Sequence, residues 1–269
     1  MTDLELKKMI LDMVSGSEIK LSQQVIENAI HRQSGTPKKQ VRLAVKALVT
    51  ASELFYSYTY GASCLEPSFQ RPARISSAIV VKPYNMDFNQ NPDDIIIDIF
   101  PGISFGSGAH PTTRLCIQAI EYALKKKQFI SNFTGTRVLD IGTGSGILAI
   151  AALRLGIESG VGVDADVCAR SEAVKNIAIN GYPDKIRIFS ESETIDSVFS
   201  LITANLRYPD IMTLYPLIAR CADKNGIVVI SGLRPEETDA VTERYTQREF
   251  TCDFMKEENG WACLIFKKI

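Results

Sequence analysis

The sequence predicts an α/β fold, with a mainly parallel sheet finished by an antiparallel hairpin and a small, largely helical domain in front of it. Three observations carry this. From residue 134 onward, β-type runs alternate with helix-patterned ones, as in a parallel sheet covered on both faces. A glycine-rich turn, Gly142-Thr143-Gly144-Ser145-Gly146, follows the first of those runs and opens the first of those helices. Near the end, Asn259-Gly260 separates two β-type runs, a dipeptide suited to a tight hairpin.

Residues 1–66 read as a domain of their own. Leu4, Leu6, Ile10, Leu11, Met13 and Val14 form one helical stripe, and Val25, Ile26, Ala29 and Ile30 a second. A third helix is expected with Thr36 as N-cap and Pro37 in its first turn, carrying Val41, Ala44, Val45, Leu48 and Val49 on one face. Glu53 to Pro67 then holds two β-type runs around Gly61, the pattern of a hairpin. Three helices followed by a hairpin resemble a winged-helix domain.

Residues 67–133 read as a connecting block. Pro67, Pro72, Pro83, Pro92 and Pro101 argue against long helices in its first part. Strands are expected at Ile75–Val81 and Ile95–Phe100, then the loop Phe105-Gly106-Ser107-Gly108-Ala109-His110-Pro111-Thr112-Thr113, then a helix from Arg114 to Lys127. In residues 134–269, strands are expected at Arg137–Ile141, Val161–Asp164, Ile186–Phe189, Leu201–Ala204 and Ile227–Ser231. Helices are expected at Ile147–Leu155, Asp166–Asn180, Pro209–Cys221 and Pro235–Gln247, and the hairpin at Phe250–Lys256 and Trp261–Lys267.

Composition narrows the partners. Hydrophobic residues make up 45% and charged residues 23% of 269, ordinary values for a chain with a packed core. A net charge of −1 gives no global attraction to nucleic acid or an anionic surface, so any such partner must meet a local patch. No apolar run approaches the ~20 residues that span a bilayer, and the charged start is unlike a secretory signal. Six scattered cysteines show no metal-ligand spacing. They read as reduced residues of a cytoplasmic protein, and no metal is expected.

The chemistry gathers at the glycine-rich turn. A dinucleotide fingerprint would need glycine at Ile147, and what stands instead is Asp140-x-Gly142-x-Gly144-x-Gly146. A pyrophosphate wants neutral or positive surroundings, whereas S-adenosylmethionine (SAM) carries an ammonium and a sulfonium. Asp140 is expected to place negative charge beside its methionine end. Asp164, 24 residues on, is expected to accept the ribose hydroxyls. The other reading of these residues is a nucleotide-binding or purely structural βαβ turn.

From the glycine-rich loop onward the chain resembles the PrmA family, the methyltransferases of ribosomal protein L-eleven. Phe105 to Thr113 is similar to that family's F-G-T-G-x-H-x-T-T loop, and Val138 to Ala149 to its cofactor turn. Thr203-Ala204-Asn205-Leu206 and Ile230-Ser231-Gly232-Leu233 match two later motifs, in order, over about 165 residues. The resemblance implies a Rossmann-like class I methyltransferase sheet, with SAM as cofactor. It also implies a protein amine, a lysine side chain or an N-terminus, as methyl acceptor.

The resemblance makes Phe105, Gly106, Ser107, His110, Thr112 and Thr113 candidates for SAM and substrate contact, beside Asp140, Gly142, Thr143, Gly144, Gly146 and Asp164. Asn205 is the candidate catalytic residue, orienting the amine through its side-chain carbonyl, and a further cofactor contact. The plainer alternatives are helix capping for Thr112 and Thr113, a structural hydrogen bond for His110 and a turn role for Asn205. The sequence departs from the family at its start, where an α/β substrate domain would be expected, and this leaves a ribosomal acceptor open. It also lacks the N-P-P-Y tetrad of adenine and glutamine methyltransferases.

The third helix displays Lys38, Lys39, Arg42 and Lys46 away from its apolar face, with no acid between Asn28 and Ser52. Nucleic acid, a protein substrate or partner, and a solvated structural face all fit that pattern. Tyr56, Tyr58 and Tyr60 alternate in the hairpin as wing packing does. The expected activity is N-methylation of a protein. A small-molecule methyltransferase and a SAM-sensing DNA-binding regulator are the alternatives.

Overall fold

The computed structural model describes residues 2–17, 20–51, 53–59, 62–67, 72–100, 110–190, 195, 197–247 and 249–269. The chain divides into two compact units, Met1–Pro72 and Ala73–Ile269. The stretch read as a connecting block therefore falls, from Ala73 on, within the second unit.

The first unit runs α1 (Asp3–Ser15), α2 (Gln23–Ser34), α3 (Lys38–Thr50), β1 (Leu54–Thr59) and β2 (Ala62–Pro67). Thr2 and Glu5 close a capping box at the start of α1, each side chain bonding the other's backbone N–H. Strands β1 and β2 pair antiparallel from Leu54 opposite Pro67 to Thr59 opposite Ala62, and Leu21 adds a short bridge to Leu65. Leu6, Ile10, Val14, Ile26, Ile30, Val41, Ala44, Val45, Leu48, Leu54 and Leu65 form one core.

Three expectations are corrected here. Leu4 is exposed, because two residues before Leu6 it lies on the opposite side of α1. Val25 is exposed beside buried Ile26. The N-cap of α3 is Pro37, not Thr36: its carbonyl accepts the N–H groups of Gln40 and Val41, while the Thr36 hydroxyl bonds Ser34 and its carbonyl bonds the His31 ring.

The second unit opens with β3 (Ala73–Arg74), β4 (Ile79–Pro83) and β5 (Ile95–Ile99), a three-stranded sheet in which β4 pairs antiparallel with β3 and parallel with β5. The strand expected from Ile75 begins only at Ile79, because residues 75–78 turn the chain: the Ile75 N–H donates to the Ile79 carbonyl and the Ile79 N–H to the Ser76 hydroxyl. Helix α4 (Pro111–Glu121) then runs into a π turn, Tyr122–Lys126. It starts three residues earlier than expected, capped by His110.

The main sheet contains β6 (Arg137–Ile141), β7 (Ser159–Val163), β8 (Ile186–Phe189), β9 (Phe199–Asn205), β10 (Ala222–Leu233), β11 (Phe250–Glu258) and β12 (Trp261–Lys268). Between them lie α5 (Ile147–Arg154), α6 (Val167–Ile179), α7 (Tyr208–Cys221) and α8 (Thr238–Thr246). Strand order is β11-β12-β10-β9-β6-β7-β8, parallel from β10 to β8 and antiparallel at the β11–β12 end. The chain lays β7 and β8 on one side of β6, then returns to lay β9 and β10 on the other. That reversal makes the carboxyl ends of β6 and β9 the topological switch point, the place where open α/β sheets offer a crevice to ligands. Helix α5, apolar all round, is buried with strands of both sheets against it.

Candidate functional site

The crevice is built on the turn after β6. Gly142, Gly144 and Gly146 have φ of 70°, 54° and 82°, left-handed values that favour glycine. The N–H groups of Gly142 and Thr143 both donate to the Val163 carbonyl, tying the turn to the end of β7. Asp164 follows β7, and its carboxylate accepts the Gly144 N–H at 2.8 Å and the Asp166 N–H at 3.0 Å. Arg170 clamps the same bend by donating to the carbonyls of Asp164 and Ala165. Asp164 is only half-buried, and each carboxylate oxygen keeps a lone pair beyond these bonds.

Asp140 is placed differently from the expectation. It is 0% exposed, and its carboxylate accepts from the hydroxyls of Thr143 at 2.7 Å and Thr203 at 2.6 Å. Each of its carboxylate oxygens is thus bonded to a threonine hydroxyl, and the Thr143 hydroxyl is spent on one of these bonds. The reason is register: Asp140 lies opposite Thr203 on β9 and Gly162 on β7, inside the sheet. Burial pushes its pKa up, against the lowering effect of Thr203, Thr143 and the backbone of Ala149 in the first turn of α5. Asp140 thus acts from beneath the turn, joining β6, β9 and the start of α5.

On the other side of the crevice, Asn205 ends β9 in register with Ser231 of β10. Its side chain is half-buried and has no hydrogen-bond partner among the described residues. The next residue, Leu206, decides where Asn205 can stand. A Cβ on Gly142 would lie 2.5 Å from a Leu206 methyl, and one on Gly232 would lie 2.2 Å from the Leu206 carbonyl oxygen. Gly232 has φ of 86° and sits at a bulge in β10 between Ser231 and Leu233. Three motifs that sequence spacing singled out separately therefore meet at one residue.

The third wall comes from α4 and β12. His110 caps α4, its Nδ1 accepting the Thr112 N–H and bonding the Thr112 hydroxyl at 2.8 Å. Its ring meets Trp261 edge-on at 5.0 Å, and the Arg234 guanidinium lies 4.0 Å over the same indole. Thr113 is buried and its hydroxyl has no partner among the described residues; the indole N–H of Trp261, 8% exposed, has none among them either. Phe105, Gly106 and Ser107 lie outside the described residues. No group of three or more His, Cys, Asp or Glu side chains that could hold a metal occurs among the described residues.

Asn176 was not foreseen. From α6 its side chain accepts the Phe100 N–H at 2.8 Å and donates to the Ser145 carbonyl at 2.8 Å, so one amide links the end of the small sheet to the glycine turn. Asn180, one turn on, accepts from the Asp98 N–H and donates to the Asp98 carbonyl. The usable signal was an amide on the stripe of α6 that also carries Ala169, Ala173 and Ile177, all buried.

Comparison with known proteins decides the family. The family model described as Ribosomal protein L11 methyltransferase (PrmA) matches residues 66–269. The chain belongs to the ribosomal protein L11 methyltransferase family. A family relative from Geobacter metallireducens is 34% identical over 196 residues, which is 73% of this chain and 62% of that protein. Another, from Clostridium botulinum (strain Eklund 17B), is 31% identical over 201 residues, 74% of this chain and 61% of that protein. The chain thus spans less than two thirds of the length of these relatives. The crystal structure of the ribosomal protein L11 methylase from Lactobacillus delbrueckii subsp. bulgaricus superposes with a TM-score of 0.65 at 28% identity. It covers 75% of this chain and 99% of that one. The main sheet is the Rossmann-like sheet of class I methyltransferases.

Proposed function

We propose that the Ala73–Ile269 unit transfers a methyl group from SAM to an amine of a protein, a lysine side chain or an N-terminus. The observation that carries this is the convergence, at the β6–β9 switch point, of a left-handed glycine turn, the half-buried Asp164 and the unbonded Asn205 side chain. The donor set fits the cofactor. Asp164 offers a carboxylate with spare lone pairs at the end of β7, where ribose hydroxyls would be accepted. The turn presents backbone rather than side chains to the methionine end. When bound, SAM supplies the electrophilic methyl group.

The chain's own residues do the rest. Asp140 keeps the turn in register from below, and Asn176 holds Ser145 and Phe100 so that the loop after β5 starts beside it. An ammonium has no lone pair, so the acceptor must shed a proton before it attacks. Desolvation in the crevice lowers its pKa from the usual ~10.4. Asn205 then needs only to accept one of the two remaining N–H groups and aim the lone pair, with positioning supplying most of the acceleration. Thr113 and Trp261, whose buried polar atoms have no partner among the described residues, would line the side on which substrate enters. We read residues 1–66 as a winged-helix domain, on the strength of its helix and hairpin order, and the cytoplasm as the place of action, where free cysteines such as all six here persist.

The test is to incubate the protein with methyl-labelled SAM and a host lysate. Label in protein that survives nuclease and is lost to protease is the expected result. Label confined to nucleic acid or small solutes would overturn the acceptor. Absence of any calorimetric heat with SAM or its demethylated product would overturn the cofactor.

A further inference from the structure

The first unit carries a basic surface of its own. Across residues 20–51 there are six cations, Lys20, Arg32, Lys38, Lys39, Arg42 and Lys46, and one acid, Glu27, in a protein whose net charge is −1. Glu27 is buried and taken: Arg42 donates to it through Nε at 2.9 Å and Nη2 at 2.8 Å, and Gln23 bonds it too. Lys38, Lys39 and Lys46 are exposed on α3 and make no ion pair among the described residues.

Geometry sharpens the charge. Helices α2 and α3 are joined by three residues, Gly35-Thr36-Pro37, and Gly35 closes α2 with φ of 70°. That is the short glycine turn of a helix-turn-helix. Val41, Ala44, Val45 and Leu48 pack α3 onto the core, which turns Lys39, Arg42, Leu43 and Lys46 outward on one face. The Glu27–Arg42 fork holds α3 against α2 and fixes the orientation of that face. Leu43 is 60% exposed in the middle of the cations.

We infer that the Met1–Pro72 unit docks duplex DNA, with α3 in the major groove, Lys38, Lys39 and Lys46 on phosphates and Leu43 against base edges. The major groove of B-form DNA, about 12 Å wide, admits a helix of about 10–12 Å diameter and presents thymine methyl groups to an apolar side chain. The deep, narrow major groove of A-form RNA does not admit it. An acidic protein could satisfy the lysines, but nothing in its charge would call for Leu43 at their centre. The inference is independent of the methyl-transfer reading.

The test uses the full chain and a labelled 20-base-pair DNA duplex of mixed sequence, by fluorescence anisotropy. Three phosphate contacts predict an affinity that falls about fortyfold between 50 and 200 mM salt. Replacing Lys38→Gln, Lys39→Gln and Lys46→Gln together is expected to cost at least about tenfold at 50 mM and to flatten the salt dependence. Leu43→Ala is expected to weaken binding a few-fold with the salt dependence unchanged. The exposed pair Lys175→Gln and Lys185→Gln, on the second unit, serves as the charge control. No binding at 50 mM salt overturns the inference. So does a triple variant that binds like the control, or equal affinity for an RNA duplex or a poly-glutamate peptide.

Discussion

Glu27 in the first unit and Asp140 in the second are both buried carboxylates, held in opposite ways. Glu27 meets a guanidinium fork, and the Arg42 hydrogen bonds hold its pKa below the ordinary value. Asp140 meets only hydroxyls and a backbone N–H, and burial pushes its pKa above the ordinary value. An acid that serves only to hold two helices together is paired with a base, as Glu27 is with Arg42. Leaving an acid underpaired costs stability, and Asp140 sits where the cost has a return: under the glycine turn, at the crevice between β6 and β9.

Four substitutions break or sharpen this contrast. The largest effect is expected for Asp140→Ala. It leaves the hydroxyls of Thr143 and Thr203 and the first turn of α5 without their acceptor, costing roughly 3 kcal/mol. Urea unfolding measures it, and a loss under about 1 kcal/mol would show that the carboxylate does not organise the turn. Asn205→Ala is expected to lower kcat about a hundredfold, roughly 2.7 kcal/mol, with the unfolding midpoint unchanged and cofactor affinity changed far less than kcat. Retained kcat would remove Asn205 from the mechanism. Asp164→Ala is expected to raise the cofactor Kd about tenfold or more, since its carboxylate binds the Gly144 N–H and, in the function proposed above, would accept the ribose hydroxyls. An unaltered Kd in calorimetry would refute the ribose role.

The smallest effect separates the two carboxylates by the sign of their pH dependence. For Glu27, the folded pKa lies below the ordinary 4.5, so its stabilisation is complete above that value and is lost as pH falls through the folded pKa. For Asp140, the folded pKa lies above the ordinary 3.8. Between the two values the folded state binds more protons, and stability from this group rises as pH falls. Glu27→Gln should therefore lower the unfolding midpoint at pH 6, and the gap from the unchanged protein should shrink at pH 3.5. An equal gap at both pH values would mean that the Arg42 fork is not what Glu27 contributes.

Residues 134–269 were legible because their signals are local. Alternating strand and helix patterns, three left-handed glycines in five residues and an Asn-Gly hairpin each constrain the backbone within a few positions of themselves. Element ends shifted where a capping choice rather than periodicity set them, as at Pro37 and His110. Ile75 was misplaced because a β-branched residue fits a turn whose hydrogen bonds come from Ser76 and Ile79.

By itself, then, the amino-acid order determined the fold class, the run of elements and the motifs that face the crevice. Spacing along the chain is enough to place apolar stripes and glycine turns. Tertiary structure alone decided what each polar group meets. Asp140 went beneath the turn onto two threonine hydroxyls, Arg42 was spent on Glu27, and Leu206 was wedged between Gly142 and Gly232. Asn176 joined two sheets' worth of backbone with one amide. Partners from 15 residues apart, as Glu27 and Arg42, to 76, as Phe100 and Asn176, are chosen by strand register and helix packing, and those are settled only when the whole sheet has closed.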